Sequence, residues 1–217
     1  MPGRVALALF AHPDDETLAA GATLARLADS GWAVHVVLVG DGRITARPEP
    51  ADNRDAAVAA CAVLGVEAPV FLGFADQRLD TVAVADLVNA ARDAAPAPDL
   101  VVTNAEVDLN LDHRIVSHVA RVLARPIDRP VSLLEASVPG EADWNGAGRT
   151  PNWFVDATGT FERKLAALAC YEGEARPWPH PRSPEALDAL ARTIGAGSGL
   201  GLAEGFTLVR GYEGHLP

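Results

Sequence analysis

The feature that most constrains the fold is a regular alternation of short apolar runs and helix-like segments over the first two thirds of the chain. Each run has the length of one strand, and the runs are apolar almost throughout, which indicates strands buried on both faces. The predicted strands are Val5–Phe10, Val34–Val39, Pro69–Leu72, Leu100–Thr103 and Val131–Ala136. Strands that alternate with helices form a mostly parallel sheet with helices on both faces. The sequence therefore predicts an α/β fold with a Rossmann-like sheet.

Helix signals fill the gaps between these strands. The predicted helices are Thr17–Ser30, Arg54–Leu64, Thr81–Ala95 and His113–Ala124, each followed by a glycine or a proline that ends it. From about Pro139 the pattern changes to a turn-rich stretch (140–151), a short strand at 153–155, helices at 161–172 and 184–193, and a strand at 206–209. We expect this last third to form a cap or an edge of the same domain, and the glycine-rich stretch 195–201 to be a flexible turn.

Composition narrows the function classes. The chain has 217 residues, of which 49% are hydrophobic, and we expect a single domain over residues 1–217. A net charge of −11 provides no electrostatic footprint for nucleic acid. No apolar run approaches the ~20 residues of a membrane span, so we expect a cytoplasmic protein without a membrane partner, and a homo-oligomer stays open. Cys61 and Cys170 are expected to be buried free thiols.

Four ionisable residues crowd into the stretch Ala11-His12-Pro13-Asp14-Asp15-Glu16, directly after the first predicted strand. The carboxyl ends of strands are where an open α/β sheet binds its ligands. The alternative is a plain helix start, with Asp14 as N-cap and two acids that favour the helix dipole. That alternative does not explain His12, nor a second cluster of the same kind further along the chain.

The second cluster, Asp108-Leu109-Asn110-Leu111-Asp112-His113, follows the fourth predicted strand. If the first and fourth strands flank the point where the strand order reverses, the two clusters face one another. His12, Asp15 and His113 then converge as three ligands with an open fourth position, which is the arrangement of a catalytic zinc site. Asp14 stays free as a general base, and Asp112 fixes the tautomer of a histidine. We expect Zn²⁺, although nitrogen and oxygen ligands also accept other divalent ions.

The first cluster resembles the opening motif of the LmbE-like (PIG-L) zinc deacetylases, which remove N-acetyl groups from glucosamine-type substrates. The resemblance extends over nearly the whole chain, through the stretches 40–42, 54, 64–66, 72–76, 112–113, 151–156, 179–183 and 203–206. It implies zinc ligands at His12, Asp15 and His113 and a catalytic base at Asp14. It also implies sugar contacts at Arg54 and Asp76.

One position departs from the family pattern. The family commonly has His-x-Asp-His at the second cluster, and the first of those histidines helps to stabilise the oxyanion. Asn110 stands there in this chain. An amide can donate a neutral hydrogen bond but carries no positive charge, so we expect Asn110 to keep that catalytic role in a weaker form.

Five residues are candidates for substrate binding: Arg54, Asp76, Asp41, His180 and Arg182. The first three follow strand ends or loops on the ligand side of the sheet, although a surface ion pair or an Asx-turn would explain them as well. Prolines on both sides of His180 restrict the backbone, which would hold His180 and Arg182 rigidly over the site. The alternative for that segment is a structural turn that packs Trp178 on the core.

These observations predict a zinc-dependent hydrolase that removes the N-acetyl group from an N-acetylglucosamine-type sugar or conjugate. Zinc would activate a water molecule, with Asp14 as its base. The alternatives are a metal-dependent amidohydrolase of another N-acylated metabolite and a non-catalytic sugar- or metal-binding protein of the same fold. A nucleotide-binding protein is disfavoured, because His-Pro-Asp-Asp follows the first strand in place of a glycine-rich turn.

Overall fold

The computed structural model describes residues 3–44, 51–146 and 150–217. Its strands are β1 (Val5–Phe10), β2 (Ala33–Gly40), β3 (Arg43–Ile44), β4 (Ala51–Asp52), β5 (Val70–Phe74), β6 (Leu100–Asn104), β7 (Ser132–Ala136), β8 (Trp153–Asp156) and β9 (Ala203–Arg210). Its helices are α1 (Asp15–Asp29), α2 (Arg54–Leu64), α3 (Val84–Asp93), α4 (Leu111–Leu123), α5 (Glu141–Trp144), α6 (Phe161–Leu168) and α7 (Pro184–Ser198), with one 3₁₀ turn at Leu79–Thr81.

Seven strands form one sheet in the order β5-β2-β1-β6-β7-β9-β8, and β3 pairs with β4 in a separate two-stranded ribbon. The five strands from β5 to β7 are parallel, whereas β9 is antiparallel to both β7 and β8. β1 therefore lies between β2 and β6, and the strand order reverses beside it. The predicted α/β fold is confirmed, and so is the position of the reversal between the first and fourth predicted strands.

The sheet is buried on both faces, as the apolar strands predicted. In β1, Ala6, Ala8 and Phe10 point to one face, where they pack among α1, α2, α6 and α7. Leu7 and Leu9 point to the other face, where α3 and α4 cover them. Successive side chains of a strand point to opposite faces, so one continuous apolar run serves two cores.

The last third of the chain completes the sheet edge and also reaches over the site. β9 and β8 extend the sheet beyond β7. The side chain of Ser183 caps the N-terminus of α7 by accepting a hydrogen bond from the Ala186 N–H at 3.0 Å. This cap ends the segment that contains His180 and Arg182, so the helix fixes where that segment stops.

Three expectations are wrong in detail. The predicted glycine turn belongs largely to α7, which continues to Ser198 and ends at Gly199 in the left-handed conformation. Gly195 lies inside the helix, where a Cβ would lie 2.8 Å from the carbonyl oxygen of Gly201, so this position has no room for a side chain. Cys61 is buried but Cys170 is partly exposed, and both are free thiols. The helix predicted at 81–95 is shorter, since a 3₁₀ turn precedes α3.

The turn-rich stretch 140–151 contains α5, and its residues 147–149 lie outside the described part of the chain. Among the described helices, none combines the length and the apolar character needed to cross a membrane.

Candidate active site

The site lies where the loops after β1 and β6 meet, and one buried side chain joins them. Asn104, the last residue of β6, accepts a hydrogen bond from the Ala11 N–H at 2.9 Å through Oδ1. Its Nδ2 donates to Oδ2 of Asp15 at 3.2 Å. Both ends of the loop after β1 are therefore fixed to the last residue of β6. Asn104 lies one residue beyond the predicted strand Leu100–Thr103 and was not among the predicted site residues.

His12, Asp15 and His113 converge as predicted. Nδ1 of His12 lies 3.2 Å from Nε2 of His113 and 3.6 Å from Oδ2 of Asp15. The same carboxylate oxygen lies 3.2 Å from Nε2 of His113. These three atoms lie within 4.8 Å of one another and form a set that could hold a metal ion. Two imidazole nitrogens and one carboxylate oxygen suit zinc and related divalent ions.

Each of these histidines has a carboxylate at its other ring nitrogen. Nε2 of His12 lies 3.2 Å from Oδ2 of Asp112, and Nδ1 of His113 lies 3.1 Å from Oδ2 of Asp108. Asp112 is itself held by the Leu79 N–H, which donates to its Oδ1 at 3.1 Å. A carboxylate behind a histidine fixes the tautomer and aims the free nitrogen at a metal. This arrangement fits a bound cation, and Asp112 lies where it could fix the tautomer of His12, a role that stays a prediction.

The electrostatics of the cluster also favour a cation. Burial lowers the pKa of His12, but Asp112 and Asp15 outweigh burial and raise the pKa to about 10. Burial likewise lowers the pKa of His113, and Asp15 and Asp108 raise it to about 9. Burial raises the pKa of Asp15, yet the two histidines hold it well below its usual range. The cluster therefore attracts positive charge, whether as protons or as a metal ion.

Asp14 occupies the N-cap position of α1 with φ at 111°, and Asp15 and Glu16 lie in the first turn, as the helix-start alternative expected. The side chain of Asp14 makes no capping hydrogen bond, so that part of the alternative is wrong and the carboxylate has other partners. The N–H of Asp14 donates to Oε2 of Glu16 at 3.1 Å, and its Oδ2 accepts from Nη1 of Arg182 at 2.9 Å. Burial raises the pKa of Asp14 well above its usual range, although Arg182 opposes that shift. A buried carboxylate with a raised pKa is suited to accept a proton.

Arg182 reaches Asp14 from the last third of the chain. Its Nη1 also lies 3.4 Å from Oε2 of Glu174, and its Nε donates to the carbonyl oxygen of Pro139 at 3.1 Å. Glu174 is buried and accepts a hydrogen bond from Nδ2 of Asn53 at 3.1 Å. The guanidinium is thus held between two carboxylates and the backbone. Glu174 was not predicted, because no motif surrounds it.

A cavity of about 230 Å³ opens above these groups. The predicted site residues that line it are His12, Asp14, Asp15, Asp76, Asn110, His113, His180 and Arg182. They are joined by Pro13, Ile44, Gln77, Glu141, Trp144, Glu174 and Arg176. Asp76 is buried, and its Oδ1 lies 3.4 Å from Nε2 of His12, so it belongs to the floor of the cavity.

Asn110 has a structural task that its sequence position did not reveal. Its Oδ1 accepts a hydrogen bond from the Asp112 N–H at 3.0 Å and so caps α4. This cap makes the helix begin at Leu111 and places Asp112 and His113 in its first turn. The amide oxygen of Asn110 is occupied, and its Nδ2 is the group that remains to contact a substrate.

Two predicted substrate residues do not converge on the cavity. Arg54 is exposed and pairs with Asp52, with Nε donating to Oδ1 at 2.9 Å. Asp41 accepts a hydrogen bond from the Arg43 N–H at 3.0 Å. Neither residue is among the described residues that line the cavity. Their contacts with a sugar remain predictions.

The segment around His180 lies over the cavity rather than packing on the core. Trp178 is 63% exposed, so the alternative in which it anchors a structural turn is wrong. Nδ1 of His180 accepts a hydrogen bond from the Arg182 N–H at 3.1 Å, and the His180 ring meets the ring of Trp144 edge-on, with centroids 5.2 Å apart.

Comparisons with known proteins agree with this geometry. Residues 7–124 match the family model described as "PIG-L: GlcNAc-PI de-N-acetylase". The chain is 27% identical over 206 residues to the 4-oxalmesaconate hydratase of Pseudomonas putida. The alignment covers 82% of this chain and 77% of that relative.

Two solved structures share the whole fold. The N,N'-diacetylchitobiose deacetylase of Pyrococcus horikoshii superposes with a TM-score of 0.75 at 21% identity, covering 96% of this chain and 84% of its own. The 4-carboxy-2-hydroxymuconate hydratase of Pseudomonas putida superposes with a TM-score of 0.73 at 23% identity, covering 96% and 97%. The matched family segment contains both ligand clusters, whereas Glu174 and Arg182 lie beyond it.

Proposed function

From the premise that the chain belongs to the PIG-L (GlcNAc-PI de-N-acetylase) family, whose model matches residues 7–124, we propose that the protein is a metal-dependent N-deacetylase. Its substrate is an N-acetylglucosamine-type sugar or a conjugate of one. The observation that carries the proposal is the convergence of His12, which is partly exposed, with the buried Asp15 and His113 at the floor of a cavity that Asp14 also lines. The donor set suits Zn²⁺ and admits other divalent ions.

The chain's own residues supply the rest of the chemistry. A divalent ion held there would acidify a water molecule and polarise the amide carbonyl. Asp14 accepts the proton of the attacking water and returns it to the leaving nitrogen. The C–N bond breaks, a C–O bond forms, and the products are acetate and the free amine. Arg182 keeps the carboxylate of Asp14 in place through the 2.9 Å hydrogen bond.

Two further residues are assigned to the substrate. Nδ2 of Asn110 donates to the oxygen that becomes negative in the transition state, as a neutral donor. Asp76 accepts hydrogen bonds from sugar hydroxyls at the cavity floor. Asp112 and Asp108 act through the histidines behind which they lie, so they are positioning residues.

A hydratase is the second candidate, because the similarity to 4-oxalmesaconate hydratase covers most of the chain. Such a reaction also adds water, but to a carbon–carbon double bond of a carboxylate-bearing substrate. The charges of this cavity favour a substrate without anionic groups. Its described lining holds five carboxylates and two arginines, and one of those arginines, Arg182, already contacts Asp14 and Glu174. With a divalent ion bound, five carboxylates and two arginines leave one net negative charge, so the lining apart from the ion offers an anionic substrate no attraction.

The test is release of acetate from a panel of N-acetylglucosamine conjugates by metal-loaded protein, with metal content measured for every sample. We expect acetate from the wild type and a loss of at least about a thousandfold in kcat for Asp14→Asn at equal metal content, since it removes the base. Asp188→Asn is the matched control, because Asp188 forms a surface pair with Arg192 on α7 and should leave activity unchanged.

A parallel assay follows the absorbance of an unsaturated dicarboxylate. Acetate release that depends on Asp14, with no hydration, supports the deacetylase. Hydration without acetate release contradicts it and selects the hydratase. Metal binding with neither reaction contradicts both assignments.

A further inference from the structure

One large aromatic side chain stands out in the cavity because it is exposed there. Trp144 ends α5, lines the cavity, and is 60% exposed. Among the described lining residues it is the only Trp, Tyr or Phe. An indole ring left in water forgoes the free energy that its burial would give. A ring kept exposed inside a concave site is therefore suited to cover an apolar face of a ligand.

The ring is also held in place before any ligand arrives. α5 is fixed at its start, where Asp143 accepts a hydrogen bond from the Gly140 N–H at 2.8 Å, and Ala142 is buried beneath it. His180 meets the indole ring at 88°, in an edge-to-face contact. Edge-to-face contacts are a preferred geometry for aromatic pairs. The platform is therefore preorganised, which lowers the entropic cost of binding.

His180 adds a polar group beside this ring. Its Nδ1 accepts from the Arg182 N–H, so the neutral imidazole carries its proton on Nε2. Burial and the nearby Arg182 and Arg176 lower the pKa of His180, which keeps the ring neutral. An apolar ring face next to one hydrogen-bond donor matches a pyranose, which has C–H groups on its face and hydroxyl oxygens at its edge.

The position of Trp144 assigns it to a part of the substrate beyond the reacting sugar. Asp14, Asp15 and His113 at the floor are almost fully buried, whereas Trp144 and Arg176 are exposed at the rim. The scissile amide must reach the floor. The group at the rim is therefore the next unit of the conjugate.

We propose that Trp144 is the stacking platform for a second ring of the substrate, attached to the N-acetylated sugar, and that Nε2 of His180 donates a hydrogen bond to that ring. This proposal rests on the proposed deacetylase function and narrows its substrate class to sugars that carry a further ring. The platform determines specificity and takes no part in breaking the amide bond.

The kinetic test compares acetate release from N-acetylglucosamine and from its β-1,4-linked disaccharide. In metal-loaded wild type we expect KM for the disaccharide to be about tenfold lower, equivalent to about 1.4 kcal/mol. Trp144→Ala should bring that ratio close to one with kcat changed less than about threefold. Trp144→Phe, which keeps a ring and guards against misfolding of the alanine variant, should retain part of the preference.

Trp178→Ala is the matched control. Trp178 is as exposed as Trp144 and lies two residues before His180, but it does not line the cavity. It should keep the full preference for the disaccharide. A KM ratio that Trp144→Ala leaves unchanged would overturn the proposal. So would a loss of the ratio in Trp178→Ala.

A binding arm separates this proposal from the proposed function. The disaccharide is titrated into Asp14→Asn protein and tryptophan fluorescence is followed, with Trp144→Phe or Trp178→Phe added to that background. We expect the fluorescence change to disappear only with Trp144→Phe. If no sugar yields acetate but this pattern holds, the platform stands and the deacetylase assignment fails. If acetate is released and the fluorescence change survives Trp144→Phe, the platform fails. Dissociation of a dimer by Trp144→Ala, with the KM ratio intact, would also overturn it.

Discussion

Two clusters of buried charge, chosen from the described residues, differ in how completely their polar groups are satisfied. In the first, Lys164 of α6 pairs with Glu204 of β9, with Nζ 2.6 Å from Oε1. The same carboxylate accepts hydrogen bonds from the Ala22 N–H at 3.1 Å and the Thr23 N–H at 2.7 Å. The carboxylate of Glu204 is thus paired with an opposite charge and with two backbone N–H groups, and it joins α1, α6 and β9.

The site cluster is arranged in the opposite way. Its two histidines turn nitrogens towards each other at 3.2 Å, and carboxylates surround them on several sides. Nδ1 of His113 faces Oδ2 of Asp108 at 3.1 Å, which is close enough for the carboxylate to orient the ring, but neither atom has a hydrogen bond of good geometry. Asp14 adopts a backbone conformation that favours glycine. Such a set is poorly satisfied by the protein alone, and a cation would satisfy it.

Buried charges that are fully paired hold the fold together, whereas buried charges left partly unpaired are available to a ligand. A closed cluster contributes to stability, because breaking it leaves an unpaired charge inside the protein. An open cluster stores unfavourable contacts that a bound ion relieves. Substitutions in the two clusters should therefore change different measured quantities.

The largest expected effect is on activity, from His113→Ala. Removing one of three ligands should reduce metal content at micromolar metal and lower kcat/KM by at least about a thousandfold. Metal analysis and acetate release check this. His118→Ala is the control, because His118 is an exposed histidine on the same helix and should bind metal normally. Full metal content in His113→Ala would remove that residue from the ligand set.

The next effect is on stability, from Lys164→Met. The uncompensated charge of Glu204 should lower the free energy of unfolding by about 3 kcal/mol, measured by urea denaturation. The kcat of the folded protein should stay within about twofold, since Lys164 does not line the cavity of the site. The double variant Lys164→Met with Glu204→Gln should recover part of the loss. If Lys164→Met were fully folded but inactive, the two clusters would not differ in function as proposed.

The smallest effect sharpens the role of Asn110. Serine keeps an oxygen that caps α4, so Asn110→Ser removes the amide donor without removing the cap. We expect kcat to fall about tenfold at unchanged metal content and unchanged melting temperature, because one neutral donor to the oxyanion is lost. Unchanged kcat would leave Asn110 with the cap alone. A lower melting temperature would show that serine fails to replace the cap.

Much of the fold was predictable because its strands are buried on both faces. Val5–Phe10 was predicted with the bounds that the structure has, since an apolar run between charged ends has few alternatives. Helix ends were less predictable, because they depend on single side chains. α4 starts two residues before the prediction because Asn110 caps it, and α7 runs through Gly195 and Gly197, two poor helix formers that the prediction assigned to a turn.

The floor of the site was predictable for a topological reason. His12, Asp15 and His113 follow the first and fourth predicted strands, so they converge once the strand order is assumed to reverse between those strands, and the structure has them as neighbours. Arg182 was expected over the site only through the resemblance to a family. Glu174 carried no signal, because its contact with Arg182 comes from the packing of irregular segments. Periodicity does not encode contacts of that kind.

Asn104 links the sheet to the site, so the geometry of the site depends on the register in which β6 pairs. Asn104 pairs with Ala136 of β7, and its side chain forms hydrogen bonds with the Ala11 N–H and the Asp15 carboxylate. A slip of β6 by one residue would turn this side chain to the opposite face of the sheet. A chain folded in that wrong register would lose the bridge that aims Asp15. The correct register of β6 and the placement of Asp15 beside the two histidines are therefore reached together when the chain folds. A chain with the wrong register would not bring these three side chains together.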